Sequence, residues 1–240
     1  MGITPWPKSA FLDGLEGAID FTAPREHGLD TMAAVEAIEA GQIHVFVGLG
    51  GNFVAATPDS ERVEAAMGRC GLTVQISTKL NRSHLVHGQQ ALILPCLSRS
   101  ERDAQEGQEQ FVTVEDSMSM VHASRGTLEP ASGALLSECR IVASMAEATL
   151  RTSPVPWAEL ADDYGRIRDL IGAVLPPFEG YNEKAQRPGG FYLGNSAAER
   201  RWNTATGKAM FTVHALPDLG LAPGLLRLMT LRSHDQYNTT

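Results

Sequence analysis

Three groups of residues are of types, and at spacings, that suit ligand chemistry. In the first, an apolar run from Ile43 to Val47 breaks into Gly48-Leu49-Gly50-Gly51-Asn52-Phe53, followed by Thr57-Pro58-Asp59. Glycines admit positive φ and let a ligand come close to the backbone. A strand, a glycine turn and a helix start offer amide N–H groups to a phosphate. Gly48 and Gly50 fit G-x-G-x-x-G, but Phe53 stands where the third glycine belongs, so a plain tight turn is the competing reading. In the second, Thr78, Lys79 and Asn81 follow the apolar run Leu72–Ile76. Their hydroxyl, ammonium and amide suit polar contacts beyond a strand's C-terminal end; helix capping by Ser77 or Thr78 is the alternative. In the third, Arg232, His234, Gln236, Tyr237, Asn238 and Thr239 make the densest polar cluster. The arginine fork suits a phosphate, and a solvated tail is the alternative.

Other chemistry is poorly supported. His84, His87 and Glu101 are not spaced as a metal set, and Cys70, Cys96 and Cys139 form no C-x-x-C pair, so neither zinc nor a cysteine-held cluster is expected. Reduced thiols point to a cytoplasmic protein. Ser117, Ser119, His122 and Ser124 lack a G-x-S-x-G elbow. No residue is assigned a catalytic or metal-binding role.

The elements that must position these groups follow from patterning. A helix is expected over 29–40, stopped by Gly41, then strand 43–47, a helix over 58–69 with Thr57 as N-cap, and strand 72–76. Ala91–Pro95 is a third buried strand. Strands separated by helical crossovers predict an α/β fold, a doubly wound, mostly parallel sheet flanked by helices. Residues 1–28 and 116–133 read as irregular and 99–110 as a polar surface excursion. A strand is expected at 111–115, and helices over 134–149 and, unbroken, 157–174. Lys208–Val213 and Leu225–Leu231 read as the first strands of a β domain, setting domains at 1–205 and 206–240.

The 240 residues are 43% hydrophobic with a net charge of −8, enough chain for a real core and a balance unlike a nucleic-acid surface. No apolar run approaches the ~18 residues of a membrane span, and the N-terminus is unlike a signal peptide. Charged residues make up 20%, below the usual quarter or so, as if some surface were covered by a cofactor, a partner or further chain.

Thr78-Lys79-Leu80-Asn81-Arg82-Ser83-His84-Leu85, Ala91-Leu92-Ile93-Leu94-Pro95-Cys96-Leu97, Val114-Glu115-Asp116-Ser117-Met118-Ser119, Pro188-Gly189-Gly190-Phe191 and Thr206-Gly207-Lys208-Ala209 occur in an order that resembles the molybdopterin oxidoreductases. More narrowly, they resemble the formate dehydrogenase H-like alpha subunits. Gly50-Gly51-Asn52-Phe53 and Thr230–Thr240 fit the same family. The resemblance implies an internal piece of a longer enzyme, ending within the opening of a C-terminal β-barrel. Its cofactor would be molybdopterin guanine dinucleotide, carrying molybdenum in the complete enzyme and acting on a small substrate such as formate. An iron–sulfur cluster and the protein ligand to the metal would lie upstream of Met1. Gly48, Gly50, Gly51 and Asn52 would meet a phosphate or ribose, Thr78, Lys79 and Asn81 the guanine nucleotide, and the Arg232–Thr239 cluster the pterin end and pyrophosphate. Three identities stay open: a fragment of that enzyme, one of two assembling chains whose partner supplies the N-terminal half, or a non-catalytic nucleotide-binding or interaction module.

Overall fold

The computed structural model describes residues 9–216 and 220–229. The chain divides into two compact units, one ending at Leu193 and one beginning at Gly194. The first is α/β. It opens with α1 (Ser9–Ile19) and α2 (Thr31–Glu39). α1 lies in a stretch expected to be irregular; Leu12, Leu15 and Ile19 recur at helical spacing, and Gly14 and Gly17 hide the pattern. Asp30 caps α2 by accepting Ala33 N–H at 2.8 Å, and Gly41 ends it at φ 68°.

The central sheet comprises β1 (Val45–Leu49), β2 (Leu72–Ser77) and β3 (Gln90–Pro95), all parallel and in the order β1-β2-β3. Short α3 (Phe53–Ala56), α4 (Ser60–Met67) and a 3-10 turn, Arg82–Leu85, form the connections. One face of the sheet carries Phe46 and packs under Val35, Ile38, Val54, Val63 and Met67 from α2, α3 and α4. The other carries Leu72, Val74, Ile76 and Leu94 and packs under Ile141 and Met145.

Beyond β3 come a small hairpin, β4 (Ala104–Gln105) and β5 (Gln108–Glu109), and then the antiparallel pair β6 (Val112–Glu115) and β7 (Met120–Ser124). β7 falls where a Ser/Gly-rich loop was expected. It forms because Asp116 Oδ1 accepts the N–H groups of Met118 and Met120, at 2.9 and 3.0 Å, and Ser119 takes φ 62°. That turn folds the chain back on β6. α5 (Glu138–Thr149) starts four residues later than its pattern suggests, because Leu136 bridges Cys96 in extended form. The helix expected over 157–174 is two, α6 (Trp157–Asp162) and α7 (Tyr164–Val174). Asp163 interrupts at φ −142° and caps α7 by accepting Gly165 N–H at 2.7 Å. α8 (Tyr181–Gln186) and β8 (Phe191–Tyr192) complete the unit, with β8 paired to β7. Phe111, Val121, Phe178 and Tyr181 form the core of this half.

In the second unit the described residues contain no strand. Lys208–Val213, expected to be one, pairs with no segment among the described residues, and Phe211 and Val213 are exposed. No closed barrel is present among the described residues. No described helix is long and apolar enough to cross a membrane.

Candidate functional site

The loops after β1 and β2 lie side by side because those strands pair in register, with Leu49 opposite Ile76. Gly50 N–H donates to Ile76 O at 2.8 Å, tying the glycine turn to the end of β2. Gly50 and Gly51 both take positive φ, 67° and 70°, and nothing lies within 4 Å of where a Cβ would stand on either. The turn is therefore open where glycine makes it open. The N–H groups of Gly51, Asn52 and Phe53 have no hydrogen-bond partner among the described residues.

Gly48 plays a different part. It lies inside β1, which runs two residues further than the apolar run suggested. An added Cβ would stand 2.6 Å from Gln75 Oε1 and 3.1 Å from the Phe46 ring. Gly48 is a packing glycine, not a turn glycine.

Asn81 joins the loops directly: its Nδ2 donates to Gly51 O at 2.6 Å, across thirty residues of sequence. Ser83 Oγ donates to Asn52 Oδ1 at 2.7 Å and accepts from Val54 N–H at 3.0 Å. Asn81 is also the cap of the 3-10 turn, its Oδ1 accepting from Ser83 N–H while His84 Nδ1 accepts from Asn81 N–H at 2.9 Å. The capping thus falls to Asn81, not to Ser77 or Thr78; Ser77 Oγ donates to Lys79 O at 2.7 Å. His84 Nδ1 also lies 3.2 Å from Asn81 O and 3.0 Å from Asn81 Oδ1, while His84 Nε2 and Gln75 Nε2 are buried without a hydrogen-bond partner among the described residues. Thr78 and Lys79 are exposed, and their side chains make no hydrogen bond among the described residues. Thr57, expected to cap α4, instead closes α3, with its hydroxyl on Phe53 O at 2.7 Å; Asp59, at φ 58°, caps α4.

The structure therefore brings together Gly50, Gly51, Asn52 and Asn81, keeps Thr78 and Lys79 on the adjoining loop, and sets Gly48 one step back in the strand. Arg232, His234, Gln236, Tyr237, Asn238 and Thr239 lie outside the described residues. Sequence reasoning missed Gln75 and Ser83 and gave His84 no part; the Asn81-x-x-His84 spacing is a capping-box signal, with histidine in place of the usual Glu or Gln.

The remaining candidates have structural partners. Glu101 accepts the N–H groups of Ser98 and Ala131, each at 2.7 Å, which holds its carboxyl below its ordinary pKa. His122 Nε2 lies 3.0 Å from Asp116 Oδ2. Burial pushes the Cys70 and Cys96 thiols up, so neither is an activated nucleophile. No group of three or more His, Cys, Asp or Glu that could hold a metal ion occurs among the described residues.

No family model matches the chain. It is 52% identical over 242 residues to an uncharacterized oxidoreductase of Mycobacterium tuberculosis, a match covering 100% of this chain and 31% of that protein. It is 49% identical over 243 residues to protein YdeP of Escherichia coli, covering 100% of this chain and 32% of that one. The chain thus spans about a third of the length of the curated relatives it matches.

Proposed function

We propose that this chain is the nucleotide-holding α/β part of a longer oxidoreductase that uses molybdopterin guanine dinucleotide, of the formate dehydrogenase-like kind. One observation carries the reading. Two loops at adjacent strand ends are locked by Asn81 on Gly51, leaving an open glycine turn whose Gly51 and Asn52 amides have no partner among the described residues. Open α/β sheets bind ligands at such strand ends. The word oxidoreductase in the name of the mycobacterial relative supports the coarse class.

The residues present fit a diphosphate. The Gly51 and Asn52 amides would donate to its oxygens, and the exposed Thr78 hydroxyl and Lys79 ammonium would approach from the second loop, supplying the positive charge. A side chain at Gly50 or Gly51 would stand in the space the phosphate takes. Ser83 and His84 act one step away: they fix Asn52 and Asn81, which fix the turn. When bound, the cofactor's metal would supply two-electron exchange with a small substrate such as formate; this chain's residues would hold the nucleotide end and keep it oriented.

The test is compositional. The gene's full-length product is purified and its molybdenum, tungsten, oxidised pterin and acid-released guanine nucleotide are measured together. Guanine nucleotide and pterin accompanying the metal are expected, falling together in Gly50→Val. Purified protein with neither pterin nor guanine nucleotide would leave a module without the cofactor.

A further inference from the structure

The central sheet is unevenly covered. On the face that packs under α5, Val74 and Ile76 of β2 are 4% and 1% exposed. Their in-register neighbours on β1, Val47 and Leu49, share that face yet are 45% and 52% exposed, and Val45 is 54% exposed. β1 is also an edge strand, with no partner on its outer side among the described residues. Natural edges are blunted by charge, proline or a bulge. Val45-Phe46-Val47-Gly48-Leu49 has none of these, and reads as an interior strand of a parallel sheet, apolar on both faces. The uncovered row runs into a groove of about 370 Å³ lined by Leu49, Val142, Ala143, Trp157, Leu160 and Ile167. The matched relatives continue for about twice this length outside the matched stretch.

We infer that the open edge of β1 and the groove beside it are the docking surface for a strand and an apolar side chain from a part of the same polypeptide outside residues 1–240. The strand would pair with the free backbone groups of β1 and shield Val45 and Val47, and the apolar side chain would fill the groove between Leu49 and Trp157. A second copy of the chain would leave the added length of the relatives without a part in this sheet, so the segment of the same polypeptide is the occupant. The inference does not depend on the cofactor: it concerns the sheet's edge and rear face, and it can fail while the guanine and pterin contents stand, or hold while they fail.

The experiment places p-benzoylphenylalanine at Val47, and separately at the partly exposed helix position Val142, in the gene's full-length product, with exposed Glu61 on α4 as control. After irradiation, adducts are mapped by mass spectrometry in a mixture of ¹⁴N- and ¹⁵N-labelled protein. Adducts from positions 47 and 142 to residues beyond this chain within one polypeptide, well above the Glu61 yield, are expected. Mixed-isotope adducts would assign the face to a second copy and overturn the inference, as would adducts to a different polypeptide or yields no higher than at Glu61. Val47→Lys, which needs no photoreactive residue, is expected to lower the thermal midpoint of the full-length product by several degrees. An unchanged midpoint would mean the face is open to solvent, and the inference is wrong.

Discussion

Two polar regions lie beyond the C-terminal ends of the same parallel sheet, and they are built on opposite plans. Beyond β3, Tyr164 Oη lies 2.5 Å from Ser137 Oγ and donates to Asp103 Oδ2 at 2.6 Å. Asp103 also accepts from Gln105, Gln105 from Arg140, and Gln110 accepts Tyr164 N–H at 3.0 Å. Arg140 pairs with Asp162. Each of these side chains is spent on another, and the network holds β4, β5, α5, α6 and α7 in place. Beyond β1 and β2, Asn81, Ser83 and His84 are spent on shaping two loops, while the Gly51 and Asn52 amides and the Lys79 ammonium have no partner among the described residues. Polar density marks both regions. The first borders a cavity of about 290 Å³ lined by Ser98, Arg99, Asp103 and Tyr164; the second has an open glycine turn with the Gly51 and Asn52 amides left over among the described residues, and that turn, rather than a count of polar residues, makes it the candidate site.

The comparison can be broken by substitution. The largest effect is expected for Gly126→Ala beside the Tyr164 network, where a Cβ would run into the backbone of Glu101. Backbone cannot give way as a side chain can, so a loss of about 3 kcal/mol is expected in urea unfolding. Tyr164→Phe should cost about 1–3 kcal/mol, because Asp103 and Ser137 lose a buried partner. It should also change the alkaline limb. Burial, and then the Asp103 carboxylate, raise the Tyr164 pKa above its ordinary value. Its contribution is therefore full below about pH 10, the unfolded value, and is lost as pH rises toward the folded one. The gap between wild type and Tyr164→Phe should narrow above that pH, and a pH series of urea midpoints checks it.

At the crest the expected stability effects are smaller and the binding effects larger. Gly50→Ala meets no neighbour within 4 Å, so its cost is the positive φ alone, about 1–2 kcal/mol, with guanine nucleotide content falling by more than that loss explains. Lys79→Gln should change stability by less than about 0.5 kcal/mol, as exposed substitutions do, while weakening retention of the nucleotide. A Lys79→Gln protein with undiminished guanine content would remove the ammonium from the site.

The α/β character was legible in the chain because short apolar runs, helical spacing and glycine stops report local burial. β2, β3 and α2 fall close to their expected places. β7 and α1 did not show, since serines and glycines mask a pattern that a turn or a packing partner imposes. The glycine turn was visible as a turn, but Gly48 was assigned to it wrongly: its need for glycine comes from Gln75, on another strand.

What the sequence by itself determined is the set of local choices: where the chain extends, coils, caps and stops, because these depend on neighbours a few residues away. What only tertiary structure decided is which groups are left over. The pairing of β1 with β2 carries Asn81 to Gly51 and Ser83 to Asn52, contacts spanning about thirty residues. Among the described residues it also leaves the Gly51 and Asn52 amides unpaired and one apolar row of β1 exposed. No local pattern encodes a donor's lack of a partner, because that lack is settled only after every other group has found its own.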